Sequence, residues 1–218
     1  FRNMKYRNII FDFDGTLADT AELTVETMHR TNRAMNLPDK SDAKCRAMIG
    51  YRLEEIPSIL WPEMPDLSER YAATFREIYK SAKEDFKVRT YPGMSDTLTR
   101  LKLNGIRMAV ASSRSKVSLL DLCNELRIAD YFQMIVGGGD VKIGKPAPDP
   151  VNLVLATQVW DKDETLVVGD MSVDILMGKA AGAATCGVTY GNSSVEELRD
   201  AEADYIISDF SQLQDLLD

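Results

Sequence analysis

Cysteine is sparse in this chain: Cys45, Cys123 and Cys186 are scattered through 218 residues, and no two stand at a Cys-x-x-Cys spacing. That excludes a disulfide framework and a paired-thiolate metal site, and points to reduced, hydrophobe-like cysteines in a cytoplasmic protein. No uninterrupted apolar stretch reaches the roughly 18 residues of a membrane helix. The N-terminal residues show no signal-peptide core. Basic runs are also missing. Lys and Arg number 26 against 34 Asp and Glu, a net charge of −8, and no aromatic–basic interleaving suggests a nucleic-acid partner. An acidic chain that handles an anionic substrate needs positive charge concentrated locally, from a metal or a placed lysine. Internal repeats and low-complexity segments are absent, and the pattern is silent on oligomeric state. What remains is ordinary globular composition, 44% hydrophobic and 28% charged, in a length that suits one domain plus an insert.

The stretch that organises the chain is Ile9-Ile10-Phe11-Asp12-Phe13-Asp14-Gly15-Thr16. An apolar, β-branched and aromatic run predicts a buried strand, and two aspartates stand where that strand ends. Carboxylates at i and i+2 on extended backbone point to one side, roughly 7 Å apart. Their repulsion calls for a cation or a shared proton.

After Thr16 the period becomes helical. Asp19 and Glu22 resemble an N-terminal capping pair, opening a helix to about Asn36. Helical pieces follow over 41–49 and 53–60, kept short by Pro57, Pro62 and Pro65. Leu67, Tyr71, Phe75, Ile78 and Ala82 repeat at helical steps. No strand pattern occurs from 20 to 85. Beyond Tyr91-Pro92-Gly93 strands alternate with helices: strands near 106–111, 132–136, 165–169, 184–188 and 205–207, with a last helix over 209–217. That alternation predicts an α/β fold, a Rossmann-like three-layer parallel sheet. Its core comprises residues 1–18 and 86–218, and a small helical domain, 19–85, is inserted after the first strand. Trp61 and Trp160 read as packing residues, and Gly137-Gly138-Gly139 as a loop.

Open parallel sheets bind ligands beyond the carboxyl ends of their strands. Those ends carry Asp12 and Asp14, Ser112 and Ser113, and Asp170, with Lys145 in the loop after the next strand. Hard oxygen ligands suit Mg²⁺, and hydroxyl donors with one lysine suit phosphate oxygens.

With these residues in place the chain resembles the haloacid dehalogenase superfamily, in its phosphoglycolate phosphatase and β-phosphoglucomutase-like subgroup with a helical cap after the first motif. The motifs are Asp12-Phe13-Asp14-Gly15-Thr16, Ser112, Lys145-Pro146, and Gly169-Asp170-Met171-Ser172-Val173-Asp174. The resemblance implies a Mg²⁺-dependent phosphatase acting on a small phosphorylated metabolite, phosphoglycolate-like or a sugar phosphate. It implies Asp12 as nucleophile forming an aspartyl-phosphate, and Asp14 as the acid and base. The metal is expected on Asp12, the Asp14 carbonyl and Asp170, with Asp174 in support. Ser112, the Ser113 backbone and Lys145 are expected on phosphate, and Arg52 of the cap is a candidate for substrate specificity. The acid/base aspartate separates this chain from the family's dehalogenases. Its sugar-phosphate mutases place a histidine early in the first cap helix, near where Thr24 stands here, with the lone His29 about a turn later, so hydrolysis is expected over mutation. A non-catalytic phospho-acceptor domain needs only about half this length and no Asp14.

Overall fold

The computed structural model describes residues 4–64 and 66–217, so Pro65 lies outside the described residues. The chain begins with β1 (Asn8–Phe11) and β2 (Ala18–Asp19), then four helices, α1 (Ala21–Ala34), α2 (Asp42–Arg46), α3 (Ile56–Leu60) and α4 (Ser68–Asp85). It continues with β3 (Arg89–Thr90), α5 (Met94–Leu103), β4 (Arg107–Ala111), α6 (Lys116–Glu125), β5 (Met134–Val136), α7 (Asp149–Gln158) and β6 (Thr165–Gly169). The last elements are α8 (Ser172–Ala180), β7 (Ala184–Val188), α9 (Val195–Asp200), β8 (Tyr205–Ile207) and a 3-10 segment, Phe210–Leu216, where the sequence predicts an α-helix. The expected α/β class holds: six parallel strands lie in the order β5-β4-β1-β6-β7-β8.

β1 is central, which explains its unbroken apolar run. Ile9 and Phe11 pack on one face with Val110, Leu98 and Leu122, while Ile10 packs on the other with Ala109, Val151 and Val167. A strand covered on both faces cannot alternate polar and apolar residues. Phe11 lies opposite Val110 of β4 and Val168 of β6, so all three strands end level. From β1 the chain runs first to β4 and β5, then crosses back to β6. The reversal opens a crevice at the carboxyl end of β1.

Helices α1–α4 gather a separate apolar cluster, Val25, Met28, Trp61, Tyr71 and Phe75 among others. Trp61 is fully buried, donates from Nε1 to the Pro38 carbonyl at 3.0 Å and stacks near Tyr71, as a packing residue should. Asp19 and Glu22 do not form the expected capping pair. Asp19 belongs to β2, which pairs antiparallel with β3, and α1 starts two residues later with Thr20 at its cap. The Thr20 hydroxyl is drawn instead to Asp14, at 2.6 Å, which leaves the helix end without a side-chain cap. No helix among the described residues is long and apolar enough to cross a membrane.

Candidate active site

The level strand ends bring the sequence motifs together. Asp12 follows β1, and its backbone N–H still bonds the Val168 carbonyl at 2.8 Å, so the residue is held as a strand extension. Ser112 follows β4 and is fixed in the same way to Val136. Asp170 follows β6, and Asp174 sits one turn into α8. Carboxylate oxygens of Asp12, Asp170 and Asp174 all lie within 4.8 Å of one another, and all three residues are buried. Gly15 has φ +86°, and a Cβ there would run into the Asp170 carboxylate, so only glycine permits this approach.

Lys145 is the counter-charge. Its Nζ donates to Asp12 Oδ1 at 2.6 Å and to Asp174 Oδ1 at 2.7 Å, with 1% of the side chain exposed. Burial works against its charge, but Asp12 and Asp174 outweigh burial and hold its pKa above the usual lysine range. Asp174 Oδ2 accepts from the Met171 N–H, while Asp170 accepts from Thr16 Oγ1 and from the backbone and side chain of Asn192. Asp12 Oδ2 is buried with no partner. Burial, then the nearby Asp174, drives the Asp12 pKa well above the carboxylate range, and the same two causes push Asp170 up to about 7. Three buried carboxylates thus face a single ammonium. The deficit of positive charge, the hard-oxygen donor set and the free Asp12 oxygen fit a divalent cation such as Mg²⁺.

Asp14 points elsewhere. Its two oxygens take a fork from Arg114, Nε to Oδ2 at 3.1 Å and Nη2 to Oδ1 at 2.5 Å, and Oδ1 also accepts from Thr20. Burial raises the Asp14 pKa, but the adjacent guanidinium wins and leaves it below the ordinary value. Arg114, rather than the neighbouring Asp12, opposes burial at this group. Arg114 also donates to Tyr79 Oη and Ser118 Oγ, both at 3.0 Å. Sequence reasoning misses Arg114, Thr20 and Asn192; only the position of Arg114, two residues past Ser112, offers a signal.

Ser112 Oγ accepts from the Arg114 N–H at 3.1 Å and keeps its own proton to donate. Ser113 Oγ instead donates to the Gly50 carbonyl of the helical block at 2.6 Å. Arg52 reaches the core from the other side, with Nη1 on Lys142 O at 2.9 Å and Nη2 on Val141 O at 2.8 Å. A cavity of about 890 Å³ lies between the helical block and the strand ends, lined in part by Asp12, Asp14, Ser112, Arg52 and Arg114.

An aspartate-bearing strand end, a buried acidic cluster and a lysine at a topological switch point suit phosphoryl-transfer chemistry. The model of the haloacid dehalogenase-like hydrolase family matches residues 9–188, and the chain belongs to that family. It is 32% identical over 210 residues to a probable phosphatase, IndB, of Dickeya dadantii, covering 94% of this chain and 90% of that one. It is 30% identical to a phosphoglycolate phosphatase of Photorhabdus laumondii, covering 95% and 90%. Among solved structures, a haloacid dehalogenase-like hydrolase from Bacteroides fragilis superposes with a TM-score of 0.86 at 31% identity, covering 96% of this chain and all of that one.

Proposed function

We propose that the chain is a Mg²⁺-dependent phosphomonoesterase working through an aspartyl-phosphate, with residues 19–85 as a cap over a core formed by 1–18 and 86–218. The observation that carries this reading is the unpartnered Asp12 Oδ2, held rigid at the end of β1 while Lys145 binds the other oxygen. That oxygen attacks phosphorus, and the bond from phosphorus to the ester oxygen breaks. Lys145 and the Ser112 hydroxyl, with the Ser113 N–H, hold the phosphate oxygens as charge spreads. The cation, held by Asp12, Asp170 and the Asp14 carbonyl with Asp174 in support, supplies charge neutralisation at the phosphate. Asp14 gives its proton to the leaving alkoxide, then takes one from the water that hydrolyses the acyl phosphate. For the first of these it must exchange the Arg114 fork for a proton. Thr24, a hydroxyl near where a mutase would carry an imidazole, supports hydrolysis over transfer to a sugar.

The test is Asp12→Asn. Phosphate release from a panel of esters falls to background while the melting temperature stays near that of the parent protein. Rapid quenching of the parent protein with ³²P-labelled ester traps label on the chain, and the variant traps none. Full turnover in the variant would remove Asp12 as nucleophile.

A further inference from the structure

The cavity above the carboxylate cluster is far larger than phosphate requires. At about 890 Å³ it stands toward the upper end of the roughly 300–1,000 Å³ of pockets that enclose whole organic ligands. A two-carbon acid would leave most of it filled with water. Part of its wall is apolar, with Met28, Met48, Ile56 and Phe75 among the residues there. Phe75 and Tyr79, one turn apart on α4, both line the cavity with their rings at 6.1 Å between centroids and 22° between planes, and the Arg114 guanidinium lies 5.3 Å from the Tyr79 ring centre.

Most charged groups of the lining already have a partner. Arg114 is paired with Asp14, Arg76 with Glu54, Lys80 with Glu77, Lys83 with Glu125 and Lys116 with Asp140, while Arg52 donates to two carbonyls. Arg52 Nε is buried without a partner, so that guanidinium is not fully satisfied. One neutral polar group is left over: Thr24 Oγ1 lines the cavity, in a residue 8% exposed, with no hydrogen-bond partner. A buried hydroxyl without a partner is costly until something meets it.

We infer that the alcohol half of the substrate carries a ring, stacked against Phe75 and Tyr79, with a polar atom on Thr24. The inference rests on the phosphatase reading above. The overall change is hydrolysis: the ester P–O bond breaks, water supplies the oxygen that stays on phosphate, and its proton reaches the alcohol through Asp14.

The test compares kcat/KM with Mg²⁺ present for 2-phenylethyl phosphate, adenosine 5′-monophosphate, phosphoglycolate and acetyl phosphate. The better ring-bearing ester is expected to exceed phosphoglycolate by on the order of tenfold or more, the usual worth of filling an apolar pocket. Phe75→Leu then raises KM for that ester several-fold while kcat changes little, and Thr24→Val does so for the nucleotide; melting curves establish that both variants are folded. Phosphoglycolate as the equal or better substrate would overturn the inference and leave the phosphatase standing. So would a ring preference indifferent to both substitutions. Failure to release phosphate from any of the four, acetyl phosphate included, would instead remove the phosphatase reading and this inference with it.

Discussion

At the scale of single residues the site is two charge systems kept apart by geometry. Asp12, Asp170 and Asp174 share Lys145, while Asp14 has been withdrawn to Arg114 and Thr20. The second system is an ion pair 12% exposed on each side, and such pairs are missed most when one partner alone is removed. Arg114→Met is therefore expected to cost about 3 kcal/mol of stability, because a buried carboxylate is left unpaired. Arg114→Met combined with Asp14→Asn should recover much of that loss in urea unfolding. Additive losses in the double variant would show that the two residues do not depend on each other. The motif aspartates, Ser112 and Lys145 are legible from sequence because each stands at a strand end that hydrophobic runs locate. Arg114 is not, since its meaning lies in a partner 100 residues away. Before the fold is known, an arginine after two serines is an ordinary surface residue. Arg52, a candidate for substrate specificity, lines the cavity, and its guanidinium also ties the helical block to Val141 and Lys142.

At the scale of elements, α1 is fastened to the segment before α2 by the chain's lone histidine. His29 Nδ1 and Nε2 lie 2.8 Å from Asp39 and Asp42 respectively, an arrangement that suits the doubly protonated ring. The hydrogen bond to Asp39 raises the His29 pKa, burial opposes it, and the bond to Asp42 adds to the rise. A raised folded-state pKa means the stabilisation is complete below the unfolded value of about 6.5 and is lost as pH climbs through the folded one. The melting temperature of the protein minus that of His29→Gln should shrink across this window, and a gap that stays constant with pH would contradict the ion-pair role. The β-rich half of the chain is legible because strands buried on both faces leave continuous apolar runs. The helical half is blurred at its ends: α3 spans five residues rather than the eight its pattern suggests, and β2 and β3 are two residues each, too short to leave a period.

At the scale of the whole molecule, an acidic protein gathers Asp12, Asp170 and Asp174 in its buried interior, and under the proposed function an added cation offsets them. Mg²⁺ at about ten times its dissociation constant is expected to stabilise the fold by about 1.4 kcal/mol, roughly 3–6 °C in melting temperature for a chain of this size. EDTA should reverse the gain, and Asp170→Asn should respond far less to either. An identical shift in that variant would place the bound cation elsewhere. The topology carries one more consequence. Chain entry to the helical block and chain exit from it are zipped side by side, Ala18 opposite Thr90 and Asp19 opposite Arg89. Two strands paired in this register can be closed by a two-residue Asn-Gly turn. The ribbon is thus the point at which a different helical block would be joined to the same core.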